Sequence, residues 1–174
     1  MKLTKKLLAM ALAGVMLLTI LTGCSGGKTG DRLVEEYIAA YYHGFDTYKD
    51  KPFTNDVPEI KTVAEKFDPS LLASNGIGFN GDIINSGHDS LLQLKSALAK
   101  YSRDNVYLYA MEVPDGMSEL TQVTLLKYNS VPYLAHTYDT TEFKFSSVKC
   151  ASTLVKKAGK QYRLVVLIQV PAAS

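Results

Sequence analysis

Three histidines and two cysteines are the side chains of this 174-residue sequence best suited to acid–base, nucleophilic or metal chemistry. His43 has Asp46 three residues further along, and on a helix this spacing brings two side chains together. A histidine oriented by a carboxylate can act as a general base, so this pair is the candidate acid–base site. The same spacing is typical of an exposed ion pair, which is the interpretation we favour.

The other histidines and the second cysteine add no chemistry. His88 precedes Asp89 where a helix should begin, and His136 lies in a loop with Asp139. No two histidines have the H-x-x-x-H spacing of a zinc site. Cys150 lies in an alternating segment with no histidine close in sequence, so we expect it to be a small buried hydrophobic residue. We therefore expect no metal, no cofactor and no catalytic residue.

Charge and glycine spacing argue against nucleic-acid or nucleotide binding. The formal net charge is +2, but residues 1–23 hold three lysines and no acid, which leaves 16 basic and 17 acidic side chains. A nucleic-acid-binding domain typically has a pI above about 9. Gly76, Gly78 and Gly81 match G-x-G-x-x-G by letter, but no clear strand precedes them and no helix start follows.

An aromatic stripe marks the first predicted helix, which runs from Asp31, a suitable N-cap, to Tyr48. Its large apolar residues recur at spacings of four, four, four and three: Leu33, Tyr37, Tyr41, Phe45 and Tyr48. Most such stripes pack into a core, but a buried tyrosine hydroxyl needs a hydrogen-bond partner. We therefore predict a ligand-binding wall formed by Tyr37, Tyr41, Phe45 and Tyr48.

Two more helices and a short strand are predicted before the chain becomes strand-rich. One helix opens at Pro58, and another runs from Asp89 or Ser90 to Tyr101, with a strand around 78–84 between them. Strands are expected over 105–113, 120–128, a third segment around 141–154, and 162–170. The predicted core includes these residues: Tyr37, Tyr41, Leu94, Leu98, Val148, Leu164, Val166 and Ile168.

The last two strands carry the most specific pattern. The apolar positions change from odd to even numbers at Ser146-Ser147, which predicts a β-bulge because a one-residue slip reverses every side chain. Lys157 to Lys160 is predicted to form a tight hairpin turn. The final strand is almost wholly apolar and is expected to lie at the centre of the sheet.

The N-terminus has the pattern of an export signal. A basic stretch at 1–6 is followed by fifteen uncharged residues over 7–21, fewer than the roughly 20 needed to span a bilayer. The next segment, Leu21-Thr22-Gly23-Cys24, resembles the lipobox of bacterial lipoproteins. That resemblance implies cleavage before Cys24 and attachment of a diacylglycerol to its thiol. There are two alternatives: an ordinary cleaved signal with an incidental cysteine, and a short membrane helix.

This resemblance divides the chain into three parts. Residues 1–23 are the predicted signal peptide, 24–30 a Gly/Ser-rich flexible tether, and 31–174 a single domain of a size that can bury its own core. The implied location is the outer face of the cell membrane of a Gram-positive bacterium.

The order of helices followed by strands predicts an α+β domain. It resembles the NTF2-like (cystatin-like) fold, in which N-terminal helices pack on a curved antiparallel sheet of four to five strands to form a cone. The resemblance is one of order and length, and it implies a pocket without fixing an activity. We expect a non-catalytic envelope module, anchored by membrane lipid at Cys24, that binds a small apolar ligand or an envelope protein. The alternatives are a small enzyme that uses His43 and Asp46, or a structural accessory domain.

Overall fold

A computed structural model describes residues 30–72, 77–78, 92–102, 104–129 and 144–172. Its helices and strands follow one another in an α+β order, as the sequence predicts. In chain order the elements are α1 (Gly30–Tyr42), β1 (Phe53–Thr54), α2 (Ile60–Lys66), β2 (Ile77–Gly78), α3 (Leu92–Ala97), β3 (Asn105–Val113), α4 (Glu119–Asn129), β4 (Phe145–Lys157) and β5 (Lys160–Pro171). Short 3₁₀ turns at Pro69–Leu71 and Ala99–Tyr101 follow α2 and α3.

The five strands form one mixed sheet in the order β1-β4-β5-β3-β2. Strand β5 lies between the two other long strands and pairs antiparallel with both, which confirms the prediction that the last strand is central. The expectation of a wholly antiparallel sheet is wrong at one edge, because β1 pairs parallel to β4. This two-residue edge strand follows α1 and the turns after it. No hairpin joins it to β4, so it need not run antiparallel to β4.

The predicted bulge and hairpin turn are both present. The register of β4 against β5 shifts between Phe145 and Ser147, where the sequence alternation changes phase. At the other end Lys157 pairs with Lys160, and the two turn residues, Ala158 and Gly159, have φ of 49° and 78°. Positive φ at both central positions matches the twist of a two-residue hairpin.

Helices cover both faces of the sheet. On one face, α1 and α4 pack against the odd-numbered residues of β3 and β5, such as Tyr109 and Leu167. On the other face, α2 and α3 pack against even-numbered residues, such as Leu108 and Val166. Because both faces are buried, β3 and β5 are apolar over most of their length.

One predicted strand is wrong. The segment 120–128 is helical and belongs to α4. The Ser118 hydroxyl accepts a hydrogen bond from the backbone N–H of Thr121 at 3.2 Å, which caps the first turn of the helix. Among the side chains of α4 described up to residue 126, the buried apolar ones are Val123 and Leu126, three residues apart, and they join the α1 core.

The first helix is shorter than predicted. It ends at Tyr42, and turns replace the helix over 43–50. Asp31 lies within its first turn, where its carboxylate contacts Arg163. Of the eight predicted core residues all are buried except Tyr41, which is half-buried at the margin of the core. Cys150 is buried, as predicted.

Candidate functional site

The four residues of the predicted aromatic wall divide into two pairs. Tyr37 and Tyr48 are buried in the core between α1 and the sheet. Tyr41 and Phe45 are half-buried and pack edge-on against each other, with ring centroids 5.1 Å apart. Because the helix ends at Tyr42, the stripe does not continue as one helical face. Two of the four wall residues therefore belong to the core, and the other two lie at the margin of the core.

Tyr42 was not predicted as a site residue, yet it is the tyrosine of α1 that reaches deepest. Its side chain is 1% exposed, and its ring lies 4.9 Å from that of Tyr48 and 5.9 Å from that of Phe53. The spacing of Val34, Ile38 and Tyr42 marks the buried face of the helix. This apolar spacing was available in the sequence, but the neighbouring aromatic stripe is more conspicuous.

Four other buried tyrosines share this core with Tyr42, one of them Tyr37. We call Tyr42, Tyr48, Tyr107 and Tyr109 the tyrosine cluster. Gln169 Nε2 donates a hydrogen bond of 2.8 Å to the Tyr48 hydroxyl. The Gln169 side chain is fixed in turn by Asn105, whose Nδ2 donates to Gln169 Oε1 at 3.1 Å. Tyr48 is thus held in a defined orientation by residues of β3 and β5.

The hydroxyls of Tyr42 and Tyr109 lie beside each other, and neither makes a well-formed hydrogen bond with a described residue. Both side chains are 1% exposed, so bulk water does not solvate them. A buried hydroxyl left without a partner costs about 1–3 kcal/mol. Native proteins rarely keep such groups unless they have a use, so these two hydroxyls mark a candidate binding site.

Burial keeps the cluster neutral. It raises the pKa of Tyr42 and of Tyr109 well above 10. Repulsion from Tyr109 adds to the rise at Tyr42, whereas the neighbouring Tyr42 hydroxyl works against the rise at Tyr109. It raises the pKa of Tyr48 to about 12, although the hydrogen bond from Gln169 works against the rise. The nearby Cys150 thiol is also buried, and burial raises its pKa well above the usual range of a thiol. The cluster thus offers hydroxyl groups and aromatic surface without charge.

A second polar network lies at the opposite end of α1. Arg163 is 1% exposed, and its Nε donates a hydrogen bond of 2.8 Å to Gln122 Oε1. Its Nη1 is paired with the carboxylate of Asp31. Glu35 accepts a hydrogen bond of 2.9 Å from the backbone N–H of Ser152 on β4. The sequence analysis missed this network, which joins the start of α1 to β4, β5 and α4.

The predicted acid–base pair is not assembled. His43 is exposed, and its Nε2 lies 3.0 Å from the Lys51 carbonyl oxygen, a geometry that requires a proton on Nε2. The Asp46 carboxylate lies 3.6 Å from Lys49 Nζ. The reason is that α1 ends before His43, so the two residues are no longer one helical turn apart. His88 and His136 lie outside the described residues.

Neither a metal centre nor a membrane span is found in the described part of the chain. No group of three or more His, Cys, Asp and Glu residues there is arranged to hold a metal ion. None of the helices in the same ranges is long and apolar enough to cross a bilayer. Cys24, the predicted lipid attachment site, lies outside the described residues.

Comparisons with protein-family models, curated proteins and solved structures find no match to this chain.

Proposed function

We propose that this chain is a lipid-anchored, non-catalytic binding module on the outer face of a bacterial cell membrane. Its ligand would contact the tyrosine cluster between α1 and the sheet. The observation that carries the proposal is the pair of adjacent buried hydroxyls, Tyr42 and Tyr109, neither of which makes a well-formed hydrogen bond with a described residue. The lipid anchor is supported by the lipobox-like Leu21-Thr22-Gly23-Cys24 behind an uncharged run of fifteen residues.

The chemistry of the cluster favours a neutral ligand with an apolar or aromatic body. Tyrosine hydroxyls both donate and accept hydrogen bonds, so one polar atom of the ligand can satisfy Tyr42 and Tyr109 together. The surrounding core side chains are apolar, aromatic or a neutral thiol. A charged ligand group buried there would lack a counter-charge, which carries a large free-energy cost. Half-exposed Tyr41 and Phe45 would form the rim of the site.

The NTF2-like cone remains a prediction. Helix α1 packs against the central strands, which agrees with that resemblance. The bulge in β4 between Phe145 and Ser147 agrees with it as well. Helices α2 and α3 cover the opposite face of the sheet, which the NTF2-like resemblance does not require.

The unpartnered hydroxyl can be tested in the ligand-free protein. Tyr42→Phe should leave the free energy of unfolding unchanged or raise it by about 1 kcal/mol, because it removes a buried hydroxyl without a hydrogen bond. Tyr48→Phe should lower it by about 1 kcal/mol, because it leaves Gln169 without its acceptor. Equal losses in the two variants would show that Tyr42 already has a partner, and would remove the basis of the site.

A thermal-shift screen of neutral aromatic small molecules tests binding directly, since a ligand of the folded state raises the melting temperature. The shift should disappear in Tyr42→Phe and Tyr109→Phe. It should persist in Tyr162→Phe, a buried tyrosine on the opposite face of the sheet. A shift lost equally in all three variants would contradict the site. Turnover that depends on His43 and Asp46 would favour the enzyme alternative.

The anchor has its own test. The intact mass of chain purified from the membrane fraction should correspond to a protein that begins at Cys24 and carries a diacylglyceryl group. Cys24→Ala should abolish both processing and lipid attachment. A Cys24→Ala chain that is processed normally and remains in the membrane would refute the lipoprotein assignment.

A further inference from the structure

One end of the domain carries the exposed apolar surface. Among the residues whose side chains are described, Leu120 and Leu154 are the large hydrophobic residues that remain exposed, at 36% and 39%. They come from different elements, α4 and β4. Isolated exposed leucines are ordinary, so their meaning depends on what lies between them.

The start of α1 lies between these two leucines. On one side, a Cβ atom placed on Gly30 would lie 2.6 Å from Glu119 Oε1, so the helix start touches the residue beside Leu120. On the other side, Asp31 contacts Arg163, and Arg163 is the register partner of Leu154. The Asp31 carbonyl oxygen also accepts a hydrogen bond of 2.8 Å from the Ser152 hydroxyl, two residues before Leu154.

The length of the chain before Gly30 limits how far this end can be from the bilayer. Only six peptide steps separate Cys24 from Gly30, and a fully extended chain of that length spans about 20 Å at most. With an acylated Cys24, the α1 start must stay within that distance of the lipid headgroups, and the flanking leucines lie beside it. The tyrosines at the other end of α1 lie about 18 Å further along the helix.

Basic residues also lie near this end, interspersed with the acidic residues Glu112 and Glu119. Lys156 is exposed and shares with Leu154 the face of β4 that carries α1, because side chains alternate along a strand. Lys157 and Lys160 flank the adjoining hairpin turn. Lys157 Nζ donates a hydrogen bond of 2.9 Å to the Glu65 carbonyl oxygen of α2, and Lys160 is paired with Glu112 at 2.9 Å. Lysines close to an anionic leaflet are attracted to it. After the other end of α1, Asp46 and Asp50 alternate with Lys49 and Lys51, so that end has no excess of basic residues.

We propose that Leu120 and Leu154 form a lipid-contacting surface that docks the membrane-facing end of the domain on the bilayer. The occupant of this surface is the headgroup region of the anchoring membrane itself. The proposal rests on the proposed anchor at Cys24. Because a tether makes the contact intramolecular, two partly exposed leucines and nearby lysines need only a weak affinity for the surface. Docking would hold the tyrosine cluster away from the bilayer, facing the extracytoplasmic side.

Fluorescence quenching by lipid tests this orientation. The full chain is purified from membranes after Leu120→Cys, Leu154→Cys or Asp46→Cys substitution, and each introduced thiol is labelled with an environment-sensitive dye. Cys150 should not compete for the dye, because it is buried. The labelled chains are placed in vesicles of phosphatidylcholine and phosphatidylglycerol that contain a spin-labelled lipid. We expect several-fold stronger quenching at positions 120 and 154 than at position 46.

The outcomes separate the docking from the anchor. Intact mass is measured on each sample before quenching, and a chain without lipid on Cys24 would overturn the anchor and the docking together. Equal quenching at the three positions of a lipidated chain would overturn the docking alone, because the domain would then be free to rotate. The dyes at positions 120 and 154 could instead be shielded from water in native membranes but remain unquenched in pure lipid vesicles. That result would assign the leucines to a protein partner and overturn the proposal.

Discussion

The guanidinium of Arg163 is buried on the central strand β5, near its hairpin end, and the carboxylate of Asp31 in the first turn of α1 neutralises it. The two residues are 132 positions apart in the chain. Asp31 is 40% exposed whereas Arg163 is 1% exposed. The start of α1 therefore covers the buried charge of Arg163 on β5. The start of α1 is thereby fixed to the strands beneath it.

Asp31→Ala should lower the free energy of unfolding by about 3 kcal/mol, because it leaves a buried arginine without its counter-charge. We expect the lower end of the range for a buried pair, since Asp31 is partly exposed. Urea denaturation provides the measurement. As a control, Asp46→Ala removes the exposed Asp46–Lys49 pair and should change stability by less than about 0.5 kcal/mol.

A double variant distinguishes the buried charge from lost helix packing. Combining Asp31→Ala with Arg163→Met removes both charges and should recover most of the lost stability. If the double variant were as unstable as Asp31→Ala alone, the loss would come from the helix start itself rather than from the unpaired arginine.

Ile168→Ala should cost about 2–5 kcal/mol, the usual range for truncating a fully buried aliphatic side chain. Ile168 is 0% exposed and lies on the central strand, against α2 and α3. Leu154→Ala, on the neighbouring strand but 39% exposed, is the control and should change stability by less than about 0.5 kcal/mol. Similar effects in the two variants would show that this face of β5 is not the core.

Strands β4 and β5 could be predicted closely because local sequence determines them. The phase change at Ser146-Ser147 predicts the bulge, and the unbroken apolar run of β5 predicts a strand covered on both faces. Both inferences depend on side-chain alternation, which needs no knowledge of distant contacts. The partner of Arg163 could not be predicted, because only the folded chain brings Asp31 to it.

The two helix errors have different physical causes. In α4, β-branched residues such as Thr121 and Val123 favour a strand, but the Ser118 cap and packing against α1 decide for helix. In α1, a repeat of exactly four residues turns about 40° beyond a full turn at each step. The row of Val34, Ile38 and Tyr42 has the same spacing, so the repeat alone does not show which row is buried. Tyr42 is buried because Tyr48 and Phe53, from the segment after the helix, pack against its ring.

Glu35 should make stability fall as pH rises above about 4.5. Burial is the main cause of its raised pKa, although the Ser152 N–H and Arg32 oppose the rise. A carboxyl with a raised pKa in the folded state stabilises the fold fully below its ordinary pKa of about 4.5. That contribution is lost as pH rises through the folded-state pKa. The difference in unfolding free energy between the native chain and Glu35→Gln should therefore decrease with pH in this window.

Glu59 provides a control of opposite sign. Partial burial alone would raise its pKa, but hydrogen bonds with Lys100 and Tyr101 hold the pKa below its ordinary value. Its contribution to stability is present above about pH 4.5 and is lost as pH falls through the folded-state pKa. The difference between the native chain and Glu59→Gln should thus increase with pH in the acid range. Parallel slopes for the two variants would contradict both assignments.

The tyrosine cluster should resist ionisation until the protein unfolds. Burial raises the pKa of Tyr48 to about 12 and places those of Tyr42 and Tyr109 well above 10. In an alkaline titration followed by phenolate absorbance, these residues should ionise late, in one step with the loss of circular dichroism. Tyr42→Phe should reduce the amplitude of that late step, whereas Tyr41→Phe should reduce the earlier, reversible phase because Tyr41 is only half-buried. Ionisation of Tyr42 ahead of unfolding would show that solvent reaches the cluster in the native state, and would place the unpartnered hydroxyls in contact with water.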